Sequence, residues 1–404
     1  MNEVTQPVRA RGTMLSAVAT VAALAALLAL APFASAASDP LASGTTTITL
    51  NKGLFKKLKK AGVKVLKVSP TTVKGKKVTL QASGGSLDPT NGQGTIEHSG
   101  GIKFKHGKKS AVIKALVLET TTSSLKAKVA GKKMKLASVS GVTVARNGFG
   151  ANLTIGKLKL TGAAAKQLNK KLGFTGKHKK KAPFKGGKAL GSGFCETQPK
   201  TVTILPSGKA SLLTNEETVK KFVLPPPTGM GVKLETFAPA ETETLVNPFT
   251  PLLKFPIEGG TIAPNASAGT VQTGGGVKLV QEPEEFAVPI PGKTTMTLKA
   301  IWVDLTAKTA TVEVFVESTI SPKLNLGDLK RSSIADINLT GATIKSDPST
   351  RTVTVENAVA TLQEVTALTL TEVFGAPWDA AAIPHPKFNP GDGLGTFSFT
   401  AQTQ

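Results

Sequence analysis

Apolar and polar residues alternate along most of this chain. Leu125, Ala127 and Val129 share one face of a run whose other face carries Lys126 and Lys128. Period two with one wet face is the pattern of an antiparallel strand. The same reading predicts strands at 63–68, 76–83, 94–100, 111–119, 124–130, 141–147 and 152–160. Gly-, Asn- and Lys-rich turns separate them at the short spacing of a sandwich or barrel. Helical periodicity is rare. Residues 51–62, NKGLFKKLKKAG, predict a short helix capped by Asn51, with Leu54, Phe55 and Leu58 on one face. Residues 161–173, TGAAAKQLNKKLG, predict a second, capped by Thr161 and ended by Gly173, with Ala164, Leu168 and Leu172 recurring every four residues.

The grammar is then written again. GGSLDPTNGQGTIEHSGGIKF (84–104) aligns without a gap on GGTIAPNASAGTVQTGGGVKL (259–279), 175 positions later. LNKGLFKKL (50–58) is answered by TNEETVKKF (214–222), KALVLET (114–120) by KAIWVDL (299–305), and FKGGKALG (184–191) by FNPGDGLG (388–395). The offset grows from 164 to 204, as loop insertions would make it. A period this long is a domain, not a solenoid unit. The expected architecture is therefore mainly β: two tandem β-sandwich-like domains at 45–199 and 200–404, each with one or two short helices. VTALTLTEVFG (365–375) lies where the second helix of the second copy should be, but its threonines and β-branched residues suit a strand equally well.

The first 36 residues stand apart. Arg9 and Arg11 precede MLSAVATVAALAALLALAPF, and Ala34-Ser35-Ala36 follows, which reads as a secretory signal peptide, with a linker at 37–44. The alternative is a retained anchor, since the run is long enough to cross a bilayer. No later segment is long and apolar enough to span a membrane. The expected location is outside the cell, free or wall-associated. Cys195 is the one cysteine, so no internal disulfide forms, and it reads as a small apolar strand residue.

Charge is split unevenly. Residues 37–200 hold 33 Lys and Arg against 5 Asp and Glu, and residues 201–404 hold 15 against 20. The first domain should carry a strong positive field. Its lysines gather at Lys56, Lys57, Lys59 and Lys60 on the first helix, at Lys103, Lys105, Lys108 and Lys109 edging a predicted hairpin, and at Lys177, Lys179, Lys180 and Lys181 in a Gly-rich loop. Such a surface gains affinity for an anionic polymer by releasing counterions; outside the cell, anionic wall or envelope polymers are the expected partners. Aromatics are too scarce for base stacking, which argues against specific nucleic-acid recognition. The other reading is lysine used for solubility and edge protection.

Catalytic signatures are missing: the chain has no H-E-x-x-H, G-x-S-x-G, Walker loop or C-x-x-C, and it reads as a binding protein, not an enzyme. Of four histidines, His98 and His106 flank one predicted hairpin and are the candidates for metal or haem ligation; the alternative is two surface histidines on a basic hairpin. The second copy has Thr273 at the first position and nothing clear at the other. His178, inside a lysine run, reads as solvated.

With the short helix near the start of each copy, the GGIKF and GGGVKL strands, and the closing apolar segment before a terminal strand, the chain resembles the HtaA (haem transport-associated) domain family of actinobacteria over most of 45–404. That resemblance implies exported or wall-attached β-rich domains that bind haem at the surface, with the iron held by a tyrosine and assisted by a histidine. This chain has no tyrosine. Where the family often shows F-x-x-Y it has Phe55-Lys-Lys-Leu58 and Val219-Lys-Lys-Phe222. His106, just after GGIKF, matches the family histidine. Haem bound through histidine is thus the alternative function to contact with envelope polymers.

Overall fold

A computed structural model describes residues 38–404 except 246, 287–289 and the side chain of Lys177; the leader expected at 1–36 lies outside the described residues. Strands dominate, as the alternation predicts. In the first repeat Asp39–Leu50, Lys77–Leu87, Gly94–His106, Lys109–Glu119, Ser124–Val129, Lys132–Asn147, Gly150–Leu160 and Ala189–Pro199 pair antiparallel in a circuit that returns to its start. The layers expected of a sandwich thus close into an eight-stranded ring, which leaves no unpaired edge within it. Residues 39–44, expected as part of a linker, belong to the first strand, because closing the ring requires Pro40 to pair with Ser86 and Gly44 with Thr197.

The second repeat closes the same way through Lys209–Thr214, Leu252–Ile262, Gly269–Thr273, Thr294–Asp304, Thr309–Ser318, Gly327–Asn338, Thr352–Leu362 and Gly393–Gln402. Alternation fixes which way each strand faces. Leu125, Ala127 and Val129 are inside and Lys126 outside.

The repeated glycine block has a steric cause. Gly85 and Gly260 take φ of 109° and 119°, and Gly94 and Gly269 take 144° and 121°. A Cβ on Gly85 would lie 2.2 Å from the Thr95 carbonyl oxygen, and one on Gly260 would lie 1.9 Å from that of Thr270. The two strands approach too closely there for any side chain, and both copies keep the same solution.

Helix α1 (Lys52–Lys60) begins where Asn51 Oδ1 accepts from the Gly53 and Leu54 amides at 2.9 and 3.3 Å, and it buries Leu54 and Leu58. Helix α2 (Gly162–Leu172) is capped by Thr161 and ended by Gly173 at φ 84°. Helix α3 (Glu216–Val223) is capped by Asn215. The ambiguous segment near 365 is helix α4 (Glu364–Ala380). Ala367, Leu370, Phe374 and Trp378 place one face in the core, while Thr369 and Thr371 turn their hydroxyls back onto the Val365 and Ala367 carbonyls. Burial of that stripe overrides the β preference of the threonines.

The rings meet at one end. Phe149, in the turn between Lys132–Asn147 and Gly150–Leu160, packs into the hydrophobic cluster of the second ring with Val202, Ile204 and Val353. Asp39 Oδ1 accepts from the Thr203 amide at 3.3 Å.

Candidate functional site

Two helix C-termini, one strand end and one loop converge at the end of the first ring. Lys57 and Lys60 come from α1, His106 and Lys109 from the hairpin, Leu172 and Gly173 from the end of α2, and Lys180, Lys181 and Lys185 from the segment that follows. They enclose a cleft of about 1000 Å³. Among the described residues no carboxylate lines it. The helix ends explain part of this basicity, because free carbonyls there favour cations. Lys109 can lie against the α2 terminus because Gly173 has no side chain: a Cβ there would meet the Lys109 side chain at 2.8 Å.

His106 is set in place by this geometry. Its Nδ1 lies 3.0 Å from the Leu172 carbonyl oxygen, which can only accept, so Nδ1 carries the proton. In the neutral ring Nε2 is left with its lone pair, the arrangement that suits a ligand nitrogen. The ring stacks on Phe174, with centroids 4.6 Å apart and planes 23° from parallel.

His98 does something else. It sits on the same strand as His106, eight positions away, so the two do not flank a hairpin and do not meet. The strand continues through the predicted break at 100 because its outer half pairs with Lys64–Val68. His98 is 5 % exposed. Its Nδ1 donates to the Leu116 carbonyl at 3.1 Å, and its Nε2 accepts from Thr46 Oγ1 at 2.6 Å. Thr46 Oγ1 lies 3.2 Å from Cys195 Sγ. The single hydroxyl proton goes to His98, so the thiol donates to Thr46; burial also pushes the thiol up to about 11. With both nitrogens engaged in the interior, His98 presents nothing to a ligand. Burial brings it down to about 4, so it is neutral.

Of the lysines singled out in the sequence, Lys57, Lys60, Lys180 and Lys181 reach the cleft. Lys56 and Lys59 stay exposed on α1, Lys59 over the Phe55 ring at 5.2 Å. Lys103 and Lys105 face outward from the strand, opposite Leu66 and Lys64. Lys179 is exposed outside the cleft, and the Lys177 side chain is not among those described. His178 is exposed, as expected of a residue in a lysine run, and also lines the cleft. Lys108 and Lys109, singled out with the basic hairpin, line the cleft as well; Lys185 was missed, because adjacency across 57, 106, 109, 174 and 185 is a tertiary property.

At the equivalent place in the second ring the described residues pack differently. Gln281, 175 positions after His106, donates from Nε2 to the Phe374 carbonyl at 2.7 Å and to the Met230 carbonyl at 2.8 Å. This is the His106 counterpart that sequence alignment did not identify. Trp378 Nε1 also donates to the Met230 carbonyl at 3.0 Å, and its ring packs edge-on against Phe286. These aromatics fill the space that lysines surround in the first copy.

No protein-family profile and no curated protein sequence matches the chain. Among solved structures it is similar to the C-terminal domain of HtaA from Corynebacterium glutamicum, at 16% identity and TM-score 0.29, covering 40% of this chain and 99% of that one. It is similar to the heme binding protein HtaB of the same organism at 16% identity and TM-score 0.29, covering 50% and 95%. The N-terminal domain of HtaA is similar at 12% identity and TM-score 0.30, covering 50% and 99%.

Proposed function

We propose that this is an HtaA-like binding protein of the cell surface, not an enzyme, whose first ring holds an anionic polymer of the envelope. One observation carries the reading: its lysines lack acidic partners. Among the described residues of the first ring the one lysine–carboxylate ion pair joins Lys126 to Glu119 at 2.6 Å. Lysines instead oppose lysines across strands, Lys64 with Lys105, Lys114 with Lys128, Lys128 with Lys133, and Lys126 with Lys135. Facing like charges are destabilising, each by roughly 0.2–1 kcal/mol, until an anion intervenes. In the second ring lysines pair with carboxylates, as in Lys221–Asp392 and Lys345–Glu356 at 2.6 and 3.0 Å. Solubility alone would not require one copy to leave its charge uncompensated.

Binding of the purified protein to cell-wall fragments and to poly-glutamate tests this. Affinity is expected to fall more than tenfold between about 50 and about 300 mM salt. Replacing Lys57, Lys60, Lys180 and Lys181 together by glutamate is expected to abolish it. Retention that ignores both salt and the substitutions would defeat the reading.

The His106 geometry favours a second reading, haem. The residues fit in part. His106 Nε2 would be the iron ligand and Lys57, Lys60, Lys180 and Lys181 would meet the propionates. Leu58, at the position where the family resemblance places tyrosine, is fully buried and supplies no ligand. Haem would bring an iron centre to the cleft; the chain itself contributes one nitrogen, a stacking partner in Phe174 and a cationic rim. On this reading the same purified protein gives a sharp Soret band with haemin that His106→Ala removes.

A further inference from the structure

The second ring carries an apolar pocket of its own. A cavity of about 500 Å³ runs through its interior, in the size range of small-molecule sites. Its walls are mainly apolar, with Leu253, Phe255, Leu279, Val312 and Val314 among them and threonines such as Thr218 and Thr366 interspersed. Among the described residues no lysine, arginine or histidine lines it, and Glu372, which is exposed, is the one ionisable group. A carboxylate or phosphate head would find no cation there.

Two further observations point to a ligand. Ser333 lines the cavity, but its hydroxyl is buried off the open space and has no hydrogen-bond partner, a cost that a turn about χ1 toward a ligand oxygen would relieve. The cavity also opens between α4 and the segment around 326–329, and the residues at that opening are apolar and wet: Leu326 is 43% exposed, Leu329 37% and Val365 73%. In the first copy α2 presents Ala163 where α4 has Val365, and Lys166 where α4 has Leu368, which is 54% exposed. An apolar doorway leading to an apolar chamber is what a ligand drawn from lipid requires.

We propose that the second ring binds one uncharged long-chain lipid, its hydrocarbon chain in the cavity and a hydroxyl or ester oxygen at Ser333. The chamber takes the chain by apolar burial, and the lack of any lining cation selects a neutral head over an acid. The site is separate from the lysine-lined cleft, so it stands whether the polymer or the haem reading of that cleft is right.

The test is fluorescence titration of the purified protein with the methyl ester of cis-parinaric acid, alongside the free acid. Saturation at one ester per chain is expected, with the acid bound at least tenfold more weakly. Val314→Phe, which fills the chamber, and Ser333→Ala should each weaken the ester. Val365→Lys, at an exposed position where folding is not at issue, should weaken it too by charging the entrance. Failure to saturate, tighter binding of the acid, or uptake indifferent to all three substitutions would overturn the proposal.

Discussion

His98 and Thr273 occupy the same place in the two copies and solve the same problem. Each lies beside a bulge at which an alanine adopts positive φ, Ala115 at 50° and Ala300 at 52°. Next to the bulge a carbonyl, that of Leu116 or Ile301, needs a donor. His98 Nδ1 supplies one, and Thr273 Oγ1 the other at 2.8 Å. A buried carbonyl left unmet would cost about 1–3 kcal/mol. The histidine therefore has a structural task that threonine can perform, which explains why a residue type associated with ligands marks no site. Because burial holds His98 near 4 against an ordinary 6.5, its contribution to stability is present above pH 6.5 and is lost as pH falls through about 4. His98→Thr is expected to lower stability at pH 7 by about 1–2 kcal/mol and to lose less on acidification than the parent. Urea unfolding between pH 7 and 4 measures this; equal slopes for parent and variant would refute it.

At the scale of elements, the corresponding helices α2 and α4 decide what each ring can hold. The end of α2 is short and leaves its last carbonyls to His106 and a ring of lysines. By contrast, α4 runs on to Trp378, which is fully buried and closes the equivalent space. Trp378→Ala is expected to cost about 3–5 kcal/mol and to open a cleft like that of the first ring but without its charge. Thermal unfolding gives the cost. A loss below about 1 kcal/mol would mean that Trp378 is not the plug. The two helical segments differ in how far they could be read. Caps and apolar spacing identified 161–173 directly, whereas 364–380 has weak local preference, and only the core it covers makes it helical.

For the whole molecule, the junction between rings is the part most sensitive to conditions. Asp39 is 3% exposed, and one of its oxygens has no partner. Burial raises it to about 6 from 3.8, offset in part by its Thr203 hydrogen bonds and by Arg146. A folded-state value above the unfolded one means stability that is full below pH 3.8 and lost as pH rises through about 6. Asp39 and His98 thus pull in opposite directions between about pH 4 and 6. Asp39→Asn, which keeps the acceptor for Thr203, is expected to stabilise the protein at pH 7 by roughly 2–3 kcal/mol. Its stability should fall with acid more steeply than the parent's, whereas His98→Thr should fall less. Variants sloping the same way would remove this account.

Legible in the chain alone are the strands, the caps at Asn51 and Thr161, the duplication, and the concentration of lysine in the first copy. Each of these is local: period-two burial, a side-chain oxygen near a helix start, glycines where two backbones touch. Which residues meet is a matter of the folded molecule. Folding closed the sheets into rings and sent His98 inward. It also gathered lysines from three segments around His106, matched Gln281 to that histidine, and left an apolar pocket in the second ring. These outcomes depend on how faces pack across strands distant in sequence, and a linear pattern of apolar and polar residues carries no term for the volume that packing leaves unfilled.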